Sequence, residues 1–135
     1  MQLHNSSEVI QARKQLTIIE QAYHDADCDT DILSGSVEAL MNIYHQSKTA
    51  KFELEETLRK LRVGFKELQI GLKALDPSSE RTAFRAAQGQ VVAISGEIAD
   101  FERRLSEVDM QFSSVQDSAQ KALRLFGLML SKKNL

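Results

Sequence analysis

The C-terminal half of the chain contains a long run of regularly spaced apolar residues, which limits it to one kind of structure. Its members alternate steps of three and four residues without a break from Phe84 to Met129. They are Phe84, Ala87, Val91, Ile94, Ile98, Phe101, Leu105, Val108, Phe112, Val115, Ala119, Ala122, Phe126 and Met129. This spacing places the side chains on one face of an α-helix and is typical of coiled-coil packing. The sequence therefore predicts one very long amphipathic helix near residues 77–131.

A second apolar seam with the same spacing comes before it, from Val37 to Leu75, with Ser47 and Lys51 as its interruptions. A polar residue at a seam position can fix the register between two helices. A lysine there can also lay its methylene groups along the seam and extend its ammonium into water. The pattern predicts a helix near 36–75, about 60 Å long, beside a C-terminal helix of about 80 Å.

The segment between these two seams predicts a tight turn. It runs from Asp76 to Glu80 and contains the one proline of the chain, Pro77. Aspartate is a favoured N-cap residue and proline is favoured at the first helical position. Because so short a connection makes consecutive helices antiparallel neighbours, we expect an all-α fold built on a long antiparallel helical hairpin with heptad packing.

The N-terminal segment predicts a third, shorter helix near 6–27. Its apolar residues repeat the same spacing: Val9, Ala12, Leu16, Ile19, Tyr23 and Ala26. Residues 28–35 are rich in side chains that compete with helical backbone bonds, and they predict an acidic linker. The first helix either folds back along the second or continues roughly collinear with it and pairs with the last turns of the third. Either way, residues 1–135 are expected to form a single domain.

Composition and motifs exclude several classes of function. The net charge of −2 gives no general attraction to nucleic acid or to acidic membranes. A lone cysteine, the absence of an apolar run long enough to cross a bilayer and an N-terminus unlike a secretory signal all favour the cytoplasm. Glu-x-x-His, phosphate-loop and nucleophile-elbow motifs are missing from the sequence. We therefore expect no catalytic site and no cofactor.

The C-terminal run is apolar almost all round its helix, which is more than a two-helix seam requires. The candidate interface residues there are Leu123, Leu125, Phe126, Leu128 and Leu130. One interpretation is a core end covered by the first helix, and another is an oligomerisation or partner-docking surface. A third is a membrane-surface contact, assisted by basic residues with no acidic residue after Asp117. The basic residues are Lys121, Arg124, Lys132 and Lys133.

A second candidate interface lies near the predicted hairpin tip, where Val63 and Ile70 fall outside the seam. Beside them, small residues recur every seven positions: Ala50, Thr57, Gly64 and Gly71. Since glycine weakens a helix by about 1 kcal/mol relative to alanine, this stripe indicates a close approach by another helix. That helix is either the C-terminal one or one from another chain.

An acidic cluster at the end of the first predicted helix and the start of the linker is the candidate charged docking loop, formed by Asp25, Asp27, Asp29 and Asp31. Its alternating carboxylates resemble the start of a calcium loop. However, Thr30 stands where the glycine of such a loop is needed and Ser36 where its bidentate glutamate is needed. His24 and Cys28 are spaced for a shared zinc ion, but two ligands in one loop are weak evidence. We predict no metal site.

These observations together favour a non-enzymatic scaffold or adaptor that acts by helix-on-helix packing, either as a homodimer or within a larger helical assembly. The alternative is a target-specific binding protein, such as a secretion or assembly chaperone or an inhibitor or immunity protein. In that case the acidic loop would provide charge complementarity. A peripheral membrane protein that uses the basic, apolar C-terminus is the third interpretation.

Overall fold

The computed structural model describes residues 7–25 and 30–133, and nearly all of them are helical. Helix α1 spans Ser7–His24, α2 spans Thr30–Lys73 and α3 spans Arg81–Lys133, with 18, 44 and 53 residues. The described part of the chain contains no strand. The prediction of an all-α fold is confirmed.

Helix α2 begins earlier than the sequence predicted. It starts at Thr30, so most of the linker expected at 28–35 is helical instead. The side chain of Leu33 is completely buried and that of Val37 nearly so. Burial of these apolar groups outweighs the weak helix propensity of Ser34 and Gly35, because tertiary packing supplies most helical stability in proteins.

The turn between α2 and α3 is longer than predicted, since α2 ends at Lys73 and α3 begins at Arg81. The Asp76 carboxylate accepts a 2.9 Å hydrogen bond from the Ser78 N–H. The Glu80 N–H donates to the Asp76 carbonyl at 2.9 Å, and the Phe84 N–H continues this pattern by donating to Glu80. Asp76 therefore caps a single turn that leads into α3, rather than the first turn of α3 itself.

One compact unit comprises Met1–Lys51 and Glu107–Leu135; we refer to it as the three-helix unit. All three helices contribute to its core, which consists of Val9, Ala12, Leu16, Ile19, Leu33, Val37, Leu40, Val115, Ala119, Ala122 and Met129. The Tyr44 and Phe112 rings stack at the edge of this core with centroids 5.5 Å apart. Four of the six apolar seam residues predicted for the first helix, from Val9 to Ile19, are thus core residues. Tyr23 is partly buried against them, and Ala26 lies outside the described residues.

Helix α1 folds back along α2 in this unit. Glu8, in the first turn of α1, lines a cavity together with Gln46, Ser47 and Ala50 of α2. The start of α1 therefore lies near residues well inside α2, while the end of α1 at His24 precedes the start of α2 by a few residues. Of the two arrangements that the sequence left open, the structure has the folded-back one.

The second compact unit comprises Phe52–Ser106, and we refer to it as the two-helix unit. Within this range, all of which is described, Leu58 is the one buried side chain, with 2% exposure. The other apolar seam residues of the unit are half-buried, each keeping part of its side chain exposed. Arg62 of α2 and Glu102 of α3 form an ion pair at 3.5 Å. Two helices alone therefore leave much of this seam partly open to solvent.

Candidate interaction surfaces

The predicted C-terminal interface divides into a buried side and an exposed side. Ala122 and Met129 belong to the core, and Leu125 and Phe126 are half-buried against it. The remaining three candidates are exposed, with 46% for Leu123, 45% for Leu128 and 40% for Leu130. The core interpretation thus describes one side of this helix end, and the exposed leucines define what we call the C-terminal surface.

Basic side chains share this exposed side. Lys121 and Arg124 are both exposed on α3, in a part of the sequence that has no acidic residue after Asp117. Of the helices in the described residues, none has the length and apolar character needed to cross a bilayer. The C-terminal surface therefore combines apolar contact area with local positive charge.

The other predicted interface lies in the two-helix unit, where Val63 is 47% and Ile70 is 70% exposed. Beside them, a Cβ added to Gly64 or Gly71 would meet no other residue's atoms within 4 Å, apart from its own helix and chain neighbours. Neither glycine has a positive φ that would require it. Helix α3 therefore does not approach α2 closely at these glycines, and the close approach predicted within the chain is not present.

The acidic loop is described in part. Asp25 follows α1 directly and Asp31 lies in the first turn of α2, and both are exposed. Asp27 and Asp29 lie outside the described residues, as does Cys28. Among residues 7–25 and 30–133, no three His, Cys, Asp or Glu side chains are grouped so that they could hold a metal ion.

Sequence reasoning missed several exposed apolar residues, of which Val92, Ile32 and Phe52 are the most exposed, at 72%, 62% and 61%. Val92 and Phe52 each follow directly after a seam residue, Val91 and Lys51 respectively. The three-four spacing of the seams therefore assigns no role to them. Their apolar character outside the seam is the signal that could have identified them. Phe52 and Val92 add to the exposed apolar area of the two-helix unit.

Several charged side chains in the two-helix unit form ion pairs within their own helix. Asp100 accepts a hydrogen bond from Arg103 Nη2 at 2.7 Å and lies 3.1 Å from Arg104 Nη2. The Arg103 hydrogen bond and the positive charge of Arg104 hold the pKa of Asp100 below its ordinary value. On α2, Arg59 pairs with Glu56 at 3.2 Å. These contacts are local and stabilise individual helices.

The cavity beside Glu8 is about 90 Å³ and is otherwise lined by α2 and α3 residues. Its remaining lining residues are Gln46, Ser47, Ala50, Val108, Gln111 and Phe112. Ligand pockets for small molecules usually measure about 300–1,000 Å³, so this cavity suits water or one extra side chain.

Comparison with protein-family models, curated proteins and solved structures finds no match to this chain.

Proposed function

We propose that this protein is a non-enzymatic helical interaction module, a scaffold or adaptor that associates through helix-on-helix packing. The observation that carries this proposal is that the two-helix unit exposes more large apolar side chains than it buries. Its 52–106 segment buries Leu58 alone, while Phe52, Val63, Ile70 and Val92 are exposed. Burying one such side chain fully contributes roughly 1.5–3 kcal/mol, so a partner that covers several of them gains substantial binding energy.

The proposal includes an antiparallel hairpin of α2 and α3 with heptad packing. In the three-helix unit, Tyr44 stacks on Phe112 and Lys51 pairs with Asp109. Residue numbers therefore rise along α2, from Tyr44 to Lys51, while they fall along α3, from Phe112 to Asp109. This order, with the three-four spacing of both seams, supports antiparallel helices whose seams face each other.

The C-terminal surface is the second proposed docking area. Leu123 and Leu130 are seven residues apart on α3, so they share one face of the helix, and Gly127 lies between them. An interface gains binding energy when exposed apolar side chains are removed from water. We therefore assign Leu123 and Leu130 as contact residues for a partner helix.

A capture experiment with the full-length chain tests the proposal. The immobilised protein is exposed to a lysate, and its own self-association is measured in parallel by light scattering. Ile70→Glu and Leu123→Glu are compared with Gln69→Glu and Gln120→Glu, which place the same charge on exposed neighbouring positions. Circular dichroism verifies that each variant keeps its helix content.

The proposal expects at least one association, with itself or with a captured protein, that Ile70→Glu or Leu123→Glu weakens and the matched controls retain. This result follows because a buried carboxylate is strongly disfavoured in an apolar contact. The proposal would be overturned if the chain stays monomeric and captures no protein. It would also be overturned if none of the four substitutions changes any association.

A further inference from the structure

We infer that one face of α2 in the two-helix unit is an isologous dimer interface, on which a second copy of this chain packs antiparallel. The face consists of Lys60, Val63, Gly64, Glu67 and Ile70, and we call it the α2 outer face. This inference rests on the proposed function and specifies a partner for it.

The α2 outer face is one continuous stripe of the helix, because its members are separated by steps of three and four residues. Lys60, Val63, Glu67 and Ile70 are all exposed. Its two charged side chains, Lys60 and Glu67, make no ion pair within the part of the chain that the structure describes. In contrast, Arg62 pairs with Glu102 in the same unit.

The arrangement of these residues is complementary to itself in one orientation. If a two-fold axis passes between Val63 and Gly64, Lys60 of each copy faces Glu67 of the other, which gives two symmetric ion pairs. Parallel packing in register would instead place Lys60 against Lys60 and Glu67 against Glu67. Like charges at a contact oppose association, so the charge pattern selects the antiparallel dimer.

The same axis matches shapes as well as charges. It sets Val63 beside Val63 and Gly64 beside Gly64 of the other copy, because this axis keeps each residue on its own flank of the contact. A Cβ added to Gly64 would meet no other residue within 4 Å apart from its own helix and chain neighbours, so the missing side chain leaves room for the two helices to approach.

The expected dimer is weak. A contact between single helices lies below the roughly 1,200–2,000 Å² that stable interfaces bury. We therefore expect a dissociation constant on the order of micromolar or above. Sedimentation velocity of the full-length chain, at concentrations from micromolar to millimolar, measures this dissociation constant.

Charge reversal tests the interface directly. Lys60→Glu and Glu67→Lys each replace two attractive contacts with two repulsive ones, and each should raise the dissociation constant about tenfold or more. The double variant Lys60→Glu with Glu67→Lys exchanges the charges and should restore affinity to within about threefold. Arg85→Glu on α3 makes the same charge change as Lys60→Glu away from the α2 outer face, and it should leave the dimer unchanged.

A chain that remains monomeric at millimolar concentration would overturn this inference, as would a dimer that tolerates Lys60→Glu or is not restored by the double variant. These outcomes are distinct from failure of the proposed function. If Leu123→Glu abolished capture of a protein while Lys60→Glu changed nothing, the interaction module would stand and the α2 outer face would not be its dimer interface.

Discussion

Lys51 and Asp109 pair across α2 and α3 at the position where the α2 seam is interrupted, with Nζ 3.0 Å from Oδ1. The same ammonium lies 4.9 Å from the centroid of the Phe112 ring. Asp109 Oδ1 is closed off from solvent and has no hydrogen bond of good geometry from the described residues. The ammonium at 3.0 Å is therefore a direct charge compensation for that oxygen.

This arrangement predicts that Lys51→Met destabilises the protein by about 1 kcal/mol. Methionine keeps most of the packing of the lysine stem but leaves the Asp109 oxygen without its cation. The side chains are 30% and 48% exposed, and this exposure keeps the expected loss small. Urea unfolding of Lys51→Met and of Lys48→Met, an exposed neighbour on α2, measures the difference. Equal stability of the two variants would contradict the prediction.

The sequence identified Lys51 as an irregular seam position but not Asp109 as its partner. Helical periodicity orders residues around one helix, whereas the register between two helices depends on the turn and on packing along their whole length. The predicted start of α2 near residue 36 is wrong for a related reason, since the helix begins at Thr30. Ser34 and Gly35 indicate a break locally, but Leu33 on the other side of the helix is buried in a core that includes α1 and α3.

The candidate surfaces were predictable in part. Val63 and Ile70 are candidate contact residues because they are apolar outside the seam, and both are exposed. The all-round apolar character of the C-terminal run is compatible with a core end and with a docking surface, and in the structure Ala122 is buried while Leu123 is exposed. Sequence alone does not show how much of a helix its neighbours cover, since coverage depends on where α1 packs.

Two adjacent residues of α1 should respond very differently to the same substitution. Ile19 is completely buried and Ile18 is 39% exposed. Removing a buried methyl group loses transfer free energy and leaves a small cavity, so Ile19→Val should cost about 1 kcal/mol. Ile18→Val should stay within about 0.5 kcal/mol of wild type. If denaturant unfolding gave similar losses for both, the described packing of α1 would be wrong.

Replacing Gly89 or Gly96 with alanine should stabilise the protein by about 1 kcal/mol each. Both lie inside α3 without a positive φ, and an added Cβ would have no other side chain within 4 Å. Alanine lowers the conformational entropy of the unfolded chain and has the higher helix propensity. Thermal and urea unfolding measure the gain. A loss of stability for either variant would mean that its Cβ meets a neighbouring group after all.

The turn before α3 should give the protein a specific sensitivity to acid through Asp76. Its pKa is lowered from the ordinary 3.8, first by the hydrogen bond from the Ser78 N–H and then by the Ser79 hydroxyl. A carboxyl group whose folded pKa is depressed stabilises the fold above its unfolded pKa, and this contribution disappears as pH falls through the folded value. Wild-type protein should therefore lose stability relative to Asp76→Asn below about pH 4.

Two neighbouring serines separate the causes of this shift. Ser79→Ala removes the hydroxyl donor and should raise the Asp76 pKa toward 3.8. Ser78→Ala keeps the backbone N–H that donates to Asp76 at 2.9 Å, so the pKa should stay low. Carboxyl chemical shifts of Asp76, followed by NMR during an acid titration, report both values. An unchanged pKa in Ser79→Ala would exclude the hydroxyl contribution, and an equal rise in both variants would mean that the turn itself had opened.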